Sequence, residues 1–536
     1  MIEDGYIKSI TYHGRMKIRV VLDILGSLLI LLGILMLIPG VVAAIYKEPA
    51  GVMALGLASL VTISAGQIIR HYGQKGDVMH KEAFVIVTLG WLLATFFGAL
   101  PFIFSGLGVI DSLFETMSGF TTTGATVLTE YNSDGYWIIN STAVESSLAY
   151  RLMNSLLAPL TKYNLGFGYP QTTASISGTF YGLLFWRSFI QLLGGMGIIL
   201  LFIAILPQLG VAGRQLYYVE TSREPLTPRV KSTAKLFWGI YLGFVAVETL
   251  LLWAAGMPFY DSICTSFTTV STAGYSPLAS GIAAYDSLII ELIVVIFMIV
   301  GATSFLLHYQ LIYKKNAYCY LKDPEFLFYM FLLFSATAII VLWGGIEGDL
   351  LHRIRFAGFH VVSISTTTGF TNNFEYDHWS SAANMVLILL MLIGGCAGAT
   401  AGGIKALRVL LVQKYTRREL VKLLHPKAVQ SVRLGNLSIT EGVLISVLFF
   451  TIVYLTIFFV STIALLLIES KNFDTLSAMS AVATCMGGVG PGLGEVAFDF
   501  SRVTPLGKLV SFFCMYIGRM EIMPVLLWFL PDFWKR

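Results

Sequence analysis

The sequence predicts an all-α membrane protein with ten transmembrane helices, because it is very apolar and its apolar residues fall in long runs. Of its 536 residues, 56% are hydrophobic and 12% are charged, whereas soluble domains are about 25% charged. One soluble core stops growing at about 250–300 residues, so apolar surface on this scale must face lipid. A helix needs about 20 apolar residues to span a bilayer. The candidate runs are 20–45, 51–69, 84–104, 181–206, 236–255, 288–306, 326–343, 385–412, 443–468 and 509–530.

Basic residues indicate how these spans are oriented. Most of the 35 Lys and Arg residues lie in alternate loops, which is the bias of cytoplasmic segments. We therefore expect a multi-pass protein of the cell membrane with both termini in the cytoplasm. The net charge of +4 reflects this bias, and no nucleic-acid partner is expected. The first run has no small-residue cleavage site near Ala44, so we interpret it as a transmembrane helix and not as a signal peptide.

A repeated segment organises most of the chain. Each copy is a short extended stretch with a glycine, preceded by a half-polar stretch too short to span and placed between two spanning runs. Non-helical backbone at membrane depth persists only if it is buried in protein or lines a wet cavity. Four such segments therefore predict four helix–pore-loop–helix repeats around one central pore. The copies are Phe120 to Ala125 (FTTTGA), Val270 to Tyr275 (VSTAGY), Ser365 to Phe370 (STTTGF) and Met486 to Pro491 (MGGVGP).

The repeats divide the chain into five parts. An N-terminal two-helix hairpin without a repeat precedes them. The first repeat carries an insertion at about residues 130–178, which is expected on the external side and contains a glycosylation triplet at Asn140. A cap over the pore mouth and a contact surface are both open roles for this insertion. The predicted parts are 1–75 for the hairpin, and 76–213, 214–320, 321–434 and 435–536 for the four pore repeats.

The repeated segments have the chemistry of a filter for a dehydrated cation. Such a filter replaces water with protein oxygens; Gly allows the positive φ that a carbonyl-lined strand needs, and Thr favours extended backbone. Half-helices that point their C-terminal ends at the centre favour a cation, and the absence of a carboxylate ring disfavours a divalent ion. We expect a monovalent cation in the pore and no other cofactor. The predicted cation-filter residues are Thr122, Thr123, Gly124, Thr272, Ala273, Gly274, Thr367, Thr368, Gly369, Gly488, Val489 and Gly490.

A glycine-rich stretch interrupts the run at 385–412 and predicts a gate. Five glycines fall between residues 394 and 403, and each weakens a helix by about 1 kcal/mol relative to Ala. Close helix packing is the alternative for small residues, but five glycines favour an unwound loop. Arg519 lies deep in the last run, where an unpaired charge is expensive, and Lys405 is interpreted either as part of the gate or as an interfacial anchor. The gate candidates are Gly398, Ala399, Thr400, Ala401, Gly402, Gly403, Lys405 and Arg519.

Other ionisable residues in the runs have weaker interpretations. Glu115 and His360 lie in the half-helices and are candidates for bracing the filters or for shaping the external field. The five cysteines stand singly and are expected to be inert thiols. Four more residues lie near span ends and are expected to be satisfied by packing or to be interfacial: Asp23, Glu248, Glu291 and His308.

Further motifs accompany the filters. They are Phe185 to Ser188 (FWRS), Gly194 to Gly197 (GGMG), Ala204 to Pro207 (AILP), the glycine-rich stretch to Lys405, His425-Pro426, and Gly518 to Glu521 (GRME). Together with the filters they resemble the Trk/Ktr/HKT superfamily of K⁺ transporters, and most closely its TrkH-type members, over the chain after residue 76. The resemblance implies K⁺ uptake through a gated filter pore, a homodimer, and a cytosolic nucleotide-binding regulatory ring of the TrkA type.

The sequence departs from the family pattern at two places. The fourth filter has Gly487 and Gly488 where a polar residue is expected, and the glycine-rich stretch has Ala399 and Ala401 where Ser and Gly are usual. All four filters keep a glycine, the pattern that this family associates with K⁺ over Na⁺. A basic stretch from Lys405 to Arg433 is the candidate docking surface for the regulatory ring.

Two other function classes were weighed. A K⁺ symporter coupled to H⁺ or Na⁺ would also use Gly-interrupted helices, but it predicts two equivalent halves where this chain has four filters. An intramembrane enzyme needs converging catalytic groups. The spans contain no Ser/His pair, paired aspartates or His/Glu metal constellation, so no enzymatic activity is expected.

Overall fold

The computed structural model describes residues 16–76, 78, 80–139, 147–148, 151, 180–205, 230–373, 376–427, 430–435 and 437–534. Within this part of the chain, six helices are long and apolar enough to cross a membrane, and a bent pair makes seven if it counts as one span. The protein is therefore an all-α, multi-pass membrane protein. The six spans are Ile18–Ile45, Pro49–His71, Lys81–Phe104, Lys235–Ala254, Pro324–Trp343 and Glu441–Ile468.

The N-terminal helices pack closely along each other. Helix α1 (Ile18–Leu35) continues as α2 (Leu37–Ile45) after a break at Met36, and α3 (Pro49–His71) returns along them. Gly26 and Gly66 allow the close approach, because a Cβ at Gly26 would lie 2.7 Å from the carbonyl oxygen of Gly66. Small residues at such crossings let helix backbones approach in membranes.

Four helical units follow this hairpin. The first contains α4 (His80–Gly98), α5 (Leu100–Phe104), α6 (Val109–Phe120) and α7 (Tyr181–Ile205). The second contains α8 (Val230–Ala254), α9 (Phe259–Val270), α10 (Leu288–Ala302) and α11 (Phe305–Ile312). The third contains α12 (Tyr318–Lys322), α13 (Pro324–Trp343), α14 (Leu350–Ser365), α15 (Ser381–Ile393) and α16 (Ala406–Leu424). The fourth contains α17 (Glu441–Ile468), α18 (Thr475–Gly487), α19 (Pro505–Arg519), α20 (Met523–Leu527) and α21 (Pro531–Trp534).

Two short strand pairs lie between the helices of the described part of the chain. Strand β1 (Glu130–Tyr131) pairs with β2 (Trp137–Ile138), and β3 (Arg433–Leu434) pairs with β4 (Leu437–Ser438), both antiparallel. In the first pair Glu130 lies opposite Ile138, and in the second Arg433 lies opposite Ser438. Three 3₁₀ turns complete the described elements: Gly281–Tyr285, Tyr376–His378 and Gly494–Val496.

The same packing recurs around the four short helices α6, α9, α14 and α18. Each packs against the long helix before it, the helix after it, and the helix that follows the short helix of the preceding unit. For α9 these neighbours are α8, α10 and α7, and for α6 they are α4, α7 and α19. The contact between α6 and α19 joins the fourth unit to the first. The largest buried apolar cluster has members in all four units, most of them in the last three, and includes Met117, Leu387, Ala481 and Met515.

Two spans end earlier than the hydrophobic runs predict. The run at 288–306 was expected to be one helix, but α10 ends at Ala302 and α11 leaves at 105° to it. The Phe305 N–H donates to the carbonyl of Gly398, so the loop of the third unit is seated against this bend. The run at 509–530 is also broken, because Glu521 and Ile522 have φ of +55° and +60°. Arg519 is therefore the last residue of α19, not the middle of a span.

Some predictions fall outside the described residues. Almost all of the insertion after β2 does so, with the glycosylation triplet at Asn140, and so does Asn436 of a second such triplet. The basic residues Arg214, Arg223 and Arg229 of the segment that follows α7 also lie outside the described part.

Candidate functional site

All four short helices end in the same way. In each, the residue two places before the predicted filter glycine has a left-handed backbone, and the next N–H donates back to a carbonyl in the last turn of the helix. This arrangement is the Schellman C-terminal motif. The left-handed residues are Thr122 (φ +53°), Thr272 (+52°), Thr367 (+59°) and Gly488 (+73°). The returning N–H bonds run from Thr123 to Ser118 (2.8 Å), Ala273 to Thr268 (2.8 Å), Thr368 to Ser363 (2.9 Å) and Val489 to Thr484 (3.0 Å).

This cap explains the departure in the fourth segment. Gly488 takes the conformation that Thr122 takes in the first segment, so the missing side chain there does not change the backbone. A β-branched residue with positive φ is a genuine outlier, and three Thr residues hold that conformation. Such strain persists only where the surroundings impose it, and it concentrates at functional sites.

The filter glycines also have positive φ, which produces an alternation along each segment. Gly124, Gly274, Gly369 and Gly490 have φ of +81°, +74°, +81° and +109°. The residue between each glycine and the left-handed cap residue is not left-handed. In the first segment the N–H groups of Thr123 and Gly124 both point back to the carbonyl of Ser118. Alternating handedness directs successive N–H groups to one side of a chain, so these carbonyls point away from the short helix.

The four segments close into a ring in chain order. A Cβ at each of the first three glycines would overlap a carbonyl oxygen of the next segment, and a Cβ at Gly490 would lie 2.8 Å from the carbonyl oxygen of the first. Only glycine fits at these positions, for steric as well as conformational reasons. The glycine and carbonyl partners are Gly124 with Ala273, Gly274 with Thr368, Gly369 with Val489, and Gly490 with Thr123.

The ring therefore brings together the twelve residues that the sequence predicts as a filter. The carbonyls of Thr123, Ala273, Thr368 and Val489 lie at equivalent places, as expected if the glycines align. All four short helices direct their C-terminal ends at this ring, and those ends carry partial negative charge. The arrangement is suited to holding a cation by backbone oxygens.

A polar network fastens the first segment to the second. Glu115 of α6 accepts hydrogen bonds from Arg187 Nε at 2.5 Å and from the Val127 N–H at 2.9 Å. Arg187 of α7 lies over the ring of Tyr275 with its Cζ 3.6 Å from the centroid, and it donates to the Ser276 carbonyl. The Tyr275 hydroxyl donates to the Glu115 carbonyl. Glu115 thus links the first two predicted filter segments, which is the contact expected of a bracing residue.

The third and fourth segments are fastened by different groups. The Tyr376 hydroxyl lies 2.6 Å from the Ala497 carbonyl and 3.1 Å from the Gly492 carbonyl, beyond the fourth segment. His360 stacks on Tyr376 with ring centroids 4.9 Å apart, so it supports that link. Ser363 donates to the Phe370 carbonyl at 2.6 Å. These braces are neutral, whereas the brace between the first two segments contains an ion pair.

The glycine-rich stretch forms a loop between α15 and α16, as predicted. Its glycines Gly394, Gly398 and Gly403 have φ between +70° and +79°. The Thr400 hydroxyl donates to backbone carbonyls and lies 3.2 Å from the hydroxyl of Thr272. The Gly402 N–H donates to the Thr367 hydroxyl at 2.9 Å. The loop is therefore in direct contact with the second and third filter segments.

The predicted charges lie beside this loop. Arg519 is buried, and its guanidinium donates to the carbonyl of Thr400 at 3.0 Å and to that of Gly194 at 2.9 Å. Lys405 is buried and donates from Nζ to the Ala401 carbonyl, so it belongs to the loop and is not an interfacial anchor. Both line a cavity next to the ring that also touches Thr123 and Gly488.

A second ion pair links the exit of the loop to the end of the chain. Arg408 of α16 donates to Glu521 at 2.7 Å, and its guanidinium lies 4.2 Å from the centroid of Phe450. Glu521 follows Arg519 by two residues and has positive φ. The loop is thereby connected to α19 through Arg519 and Thr400, and the helix that follows the loop is connected to the turn after α19 through Arg408 and Glu521.

Comparison with known proteins agrees with this geometry. The TrkH family model, described as a cation transport protein, matches residues 167–346 and 348–536. The chain belongs to the TrkH family. The Trk system potassium uptake protein TrkH of Salmonella typhimurium is 35% identical over 533 residues, which cover 97% of this chain and 100% of the relative. The protein of that name from Halomonas elongata is 32% identical over 539 residues, with the same coverage.

A solved structure has the same fold. The crystal structure of the potassium transporter TrkH from Vibrio parahaemolyticus matches with a TM-score of 0.81 and 32% identity, covering 97% of this chain and 100% of that one. The resemblance drawn from the sequence motifs is therefore confirmed as membership of the TrkH family.

Most of the remaining ionisable residues have partners. Asp23 pairs with Arg70 at 3.4 Å, Glu291 with Arg355 at 2.8 Å, and His308 hydrogen-bonds Tyr320 and the Val300 carbonyl. Glu248 differs, because its carboxyl is fully buried and has the Thr269 side chain of α9 as its polar neighbour, with no basic residue paired to it in the described part of the chain. It is therefore not an interfacial residue. All five cysteines are buried, and none of them forms a disulfide.

The predicted docking surface is also changed by the structure. Arg417 is exposed, but Arg418 is buried and its guanidinium is held by Glu441 at 2.7 Å and 2.8 Å, with Glu419 beside it. Arg418 therefore fastens α16 to the start of α17, and only Arg417 of this pair is available to a partner.

Proposed function

We propose that this chain is the pore subunit of a Trk-type system and carries K⁺ into the cell through one central, gated filter. The relatives named above are potassium uptake proteins, and the ring of four segments is the observation that supports the same function here. In this proposal the four units are pore repeats around one axis, the chain crosses the membrane ten times, and both termini lie in the cytoplasm.

The ring would act by replacing the water around the ion. An ion entering from the outside meets carbonyl oxygens of four segments whose backbone positions are fixed by caps and by glycine packing. Preformed oxygens reduce the reorganisation that dehydration requires, and the helix ends add negative potential. The ring residues include no carboxylate, so the site favours a monovalent over a divalent cation.

The loop and Arg519 would form the gate. The loop lies against two filter segments, and the positive charge of Arg519 lies beside the cavity next to them. Conduction requires this loop to withdraw, which breaks the hydrogen bonds from Arg519 to Thr400 and from Gly402 to Thr367. A buried charge in a water-excluded site repels a cation more strongly than it would in water.

Opening would be controlled from the cytoplasm by a separate nucleotide-binding ring bound to a homodimer of this chain. Arg417 of α16, with Lys427 and Arg433 beyond that helix, offers the exposed basic residues of the docking surface, and α16 leads directly out of the loop. Arg417→Glu should weaken copurification of the nucleotide-binding regulatory protein at physiological salt. Reversal of Arg418 is not a clean test, because it would break the ion pair with Glu441.

The function is tested by flux into proteoliposomes that contain the purified protein. We expect uptake of K⁺ and Rb⁺ well above that of Na⁺, and no need for an imposed proton gradient. Comparable Na⁺ and K⁺ uptake would contradict the filter proposal. Empty liposomes and liposomes with Gly124→Ser protein are the controls.

A K⁺ symporter coupled to H⁺ is the second candidate, and Glu248 is the observation that favours it. This carboxyl is fully buried beside Thr269 of α9, with no basic residue paired to it in the described part of the chain, and buried acids in membranes often carry protons. If symport is correct, a proton gradient should drive K⁺ accumulation, and Glu248→Gln should abolish that drive.

A further inference from the structure

The side-chain amide of Gln191 hydrogen-bonds the residues on both sides of the second filter glycine, Gly274. Gln191 of α7 donates from Nε2 to the carbonyl of Ala273 at 2.9 Å, and its Oε1 accepts from the N–H of Tyr275 at 3.1 Å. These two groups flank Gly274. The Gln191 side chain is fully buried, so water does not compete for either bond.

The bond to Ala273 distinguishes the second segment from the first and third. In the first, the hydroxyls of Thr121 and Thr123 lie 2.9 Å apart. In the third, those of Thr366 and Thr368 are also 2.9 Å apart. The second segment has Ala273 at this place and cannot form such a hydroxyl pair. Among the described residues, Gln191 is the side chain that hydrogen-bonds this part of the backbone instead.

The Ala273 carbonyl has a second role in the ring. It is the oxygen that faces Gly124 of the first segment. Its position therefore affects the fit between the first and second segments as well as the local geometry at Gly274. An amide that donates to this oxygen both orients the carbonyl and withdraws charge from it, and each effect changes how well the ring fits one ion rather than another.

We infer that Gln191 is a specificity-determining positioning residue, which sets the K⁺ over Na⁺ preference of the ring through the carbonyl of Ala273 and the backbone of Gly274. This inference rests on the proposed function. Gln191 acts through the second filter segment and does not itself touch the ion. Arg187, one helical turn earlier, fixes the neighbouring Tyr275 ring, so the two side chains restrain the second segment at consecutive residues.

The two hydrogen bonds can be separated by substitution. Gln191→Glu keeps an acceptor for the Tyr275 N–H but, when ionised, has no donor for the Ala273 carbonyl. Gln191→Met has a similar length and removes both bonds. Gln191→Asn keeps the amide but is one methylene shorter, so it cannot reach both groups at once. Gln310→Met is the matched control, because Gln310 is buried in α11 and has no hydrogen bond to a filter residue in the described part of the chain.

The readout is the ratio of Rb⁺ to Na⁺ uptake in proteoliposomes, with total Rb⁺ uptake as the check that each variant is folded. Loss of a buried hydrogen bond should lower the ratio about fivefold to tenfold for Gln191→Met and Gln191→Glu. Gln310→Met should keep the wild-type ratio. If Gln191→Met gives little folded protein, the ratio in Gln191→Asn decides the question in the same way.

The failures of this inference and of the proposed function are distinguishable. A selective wild-type protein whose Gln191 variants keep its ratio within twofold overturns the role of Gln191 alone. A wild-type protein that takes up Na⁺ as readily as Rb⁺ overturns the filter proposal and this inference with it. A mere structural defect would lower Rb⁺ and Na⁺ uptake together and leave their ratio unchanged, which also counts against Gln191 as a specificity residue.

Discussion

The ring of filter segments and the helices that follow those segments differ in how alike the four units are. In the ring, all four units have the same cap, the same alternation of φ and the same glycine packing, although their side chains differ. Below the ring no two described units agree. Helix α7 is continuous, α10 bends by 105° into α11, the third unit has a loop, and α19 ends at Arg519.

The difference shows which part of the molecule depends on backbone and which on side chains. A ring made of carbonyls needs four equal backbones, and it tolerates Thr, Ala or Val at the residue before the glycine. In the proposed function the barrier needs to occur only once, so a single loop and a single arginine are enough. The asymmetric inner helices also let the loop seat against the bend at Ala302.

Substitution of a filter glycine should have the largest effect, because it makes the backbone of one segment differ from that of the other three. Gly124→Ser places a side chain where the Ala273 carbonyl lies and where φ is +81°. Strain of this kind costs about 1–3 kcal/mol before the overlap is counted. We expect loss of K⁺ preference over Na⁺, measured as the uptake ratio in proteoliposomes.

Gly243→Ala is the matched control for the ring glycine. A Cβ at Gly243 meets no atom within 4 Å, and Ala is favoured over Gly by about 1 kcal/mol in a helix. This variant should keep the wild-type ratio and be at least as stable. An unchanged ratio in Gly124→Ser would remove Gly124 from the filter.

Removal of Arg519 should act on the barrier and leave the ring intact. Arg519→Ala deletes the positive charge and the bonds to Thr400 and Gly194. We expect basal Rb⁺ uptake to rise severalfold with an unchanged Rb⁺ to Na⁺ ratio, and Arg519→Lys to lie between the two proteins. Deletion within Gly398 to Gly402 should raise basal uptake in the same way. Wild-type basal uptake in both variants, with normal folding, would place the barrier elsewhere.

Exchange of a cap residue between units should have a small effect. Thr122→Gly gives the first segment the residue that Gly488 provides in the fourth. Glycine adopts positive φ without the steric cost that Thr meets, so the backbone of the ring should be preserved. We expect stability within about 1 kcal/mol of wild type and an uptake ratio close to that of wild type. A large loss of the ratio would mean that the Thr122 hydroxyl, not the backbone, contributes the selectivity.

The smallest expected effect is a change in the pH dependence of stability, and it concerns the hydrogen bonds of Glu48 that join the N-terminal hairpin to α7. Glu48, between α2 and α3, accepts hydrogen bonds from the N–H groups of Tyr181 and Gly182 at 2.6 Å and 3.0 Å. Burial raises the pKa of Glu48 to about 7, although both backbone bonds lower it. A raised carboxyl pKa means that folding takes up a proton, so stability falls as the pH rises towards about 7 and is level above it.

Thermal unfolding at a series of pH values tests this link. Glu48→Gln removes the titration, so its Tm should change less between about pH 5 and about pH 8 than that of the wild type. Glu347→Gln, at an exposed position, is the control and should follow the wild-type curve. Parallel curves for the wild type and Glu48→Gln would show that Glu48 does not titrate in this range.

The sequence predicted the parts of the site that repeat or that break a helix. Four glycine segments at equivalent positions indicated the ring, and five glycines in ten residues indicated the loop. The bend after Ala302 was missed because one glycine, Gly301, and the polar residues Thr303 and Ser304 are a weak break in a long apolar run without Pro. The end of α19 at Arg519 was missed for a similar reason, since Glu521 and Ile522 carry no local signal for positive φ.

The braces around the ring were beyond the sequence pattern because they join distant units. Arg187 and Glu115 are 72 residues apart, and Gln191 and Ala273 are 82 apart. One signal was present: Arg187 and Gln191 are two polar residues spaced by one turn within a long apolar run, which places them on one helix face. That spacing indicates a buried polar contact but not its partner.

Anomalous scattering from crystals grown in Rb⁺ tests the central claim most directly, because it locates the ion without reference to flux. The account predicts a Rb⁺ peak inside the ring, surrounded by the segments that contain Gly124, Gly274, Gly369 and Gly490, and loss of that peak in Gly124→Ser crystals. A Rb⁺ peak elsewhere in the membrane region, such as beside Glu248, with none in the ring would contradict it.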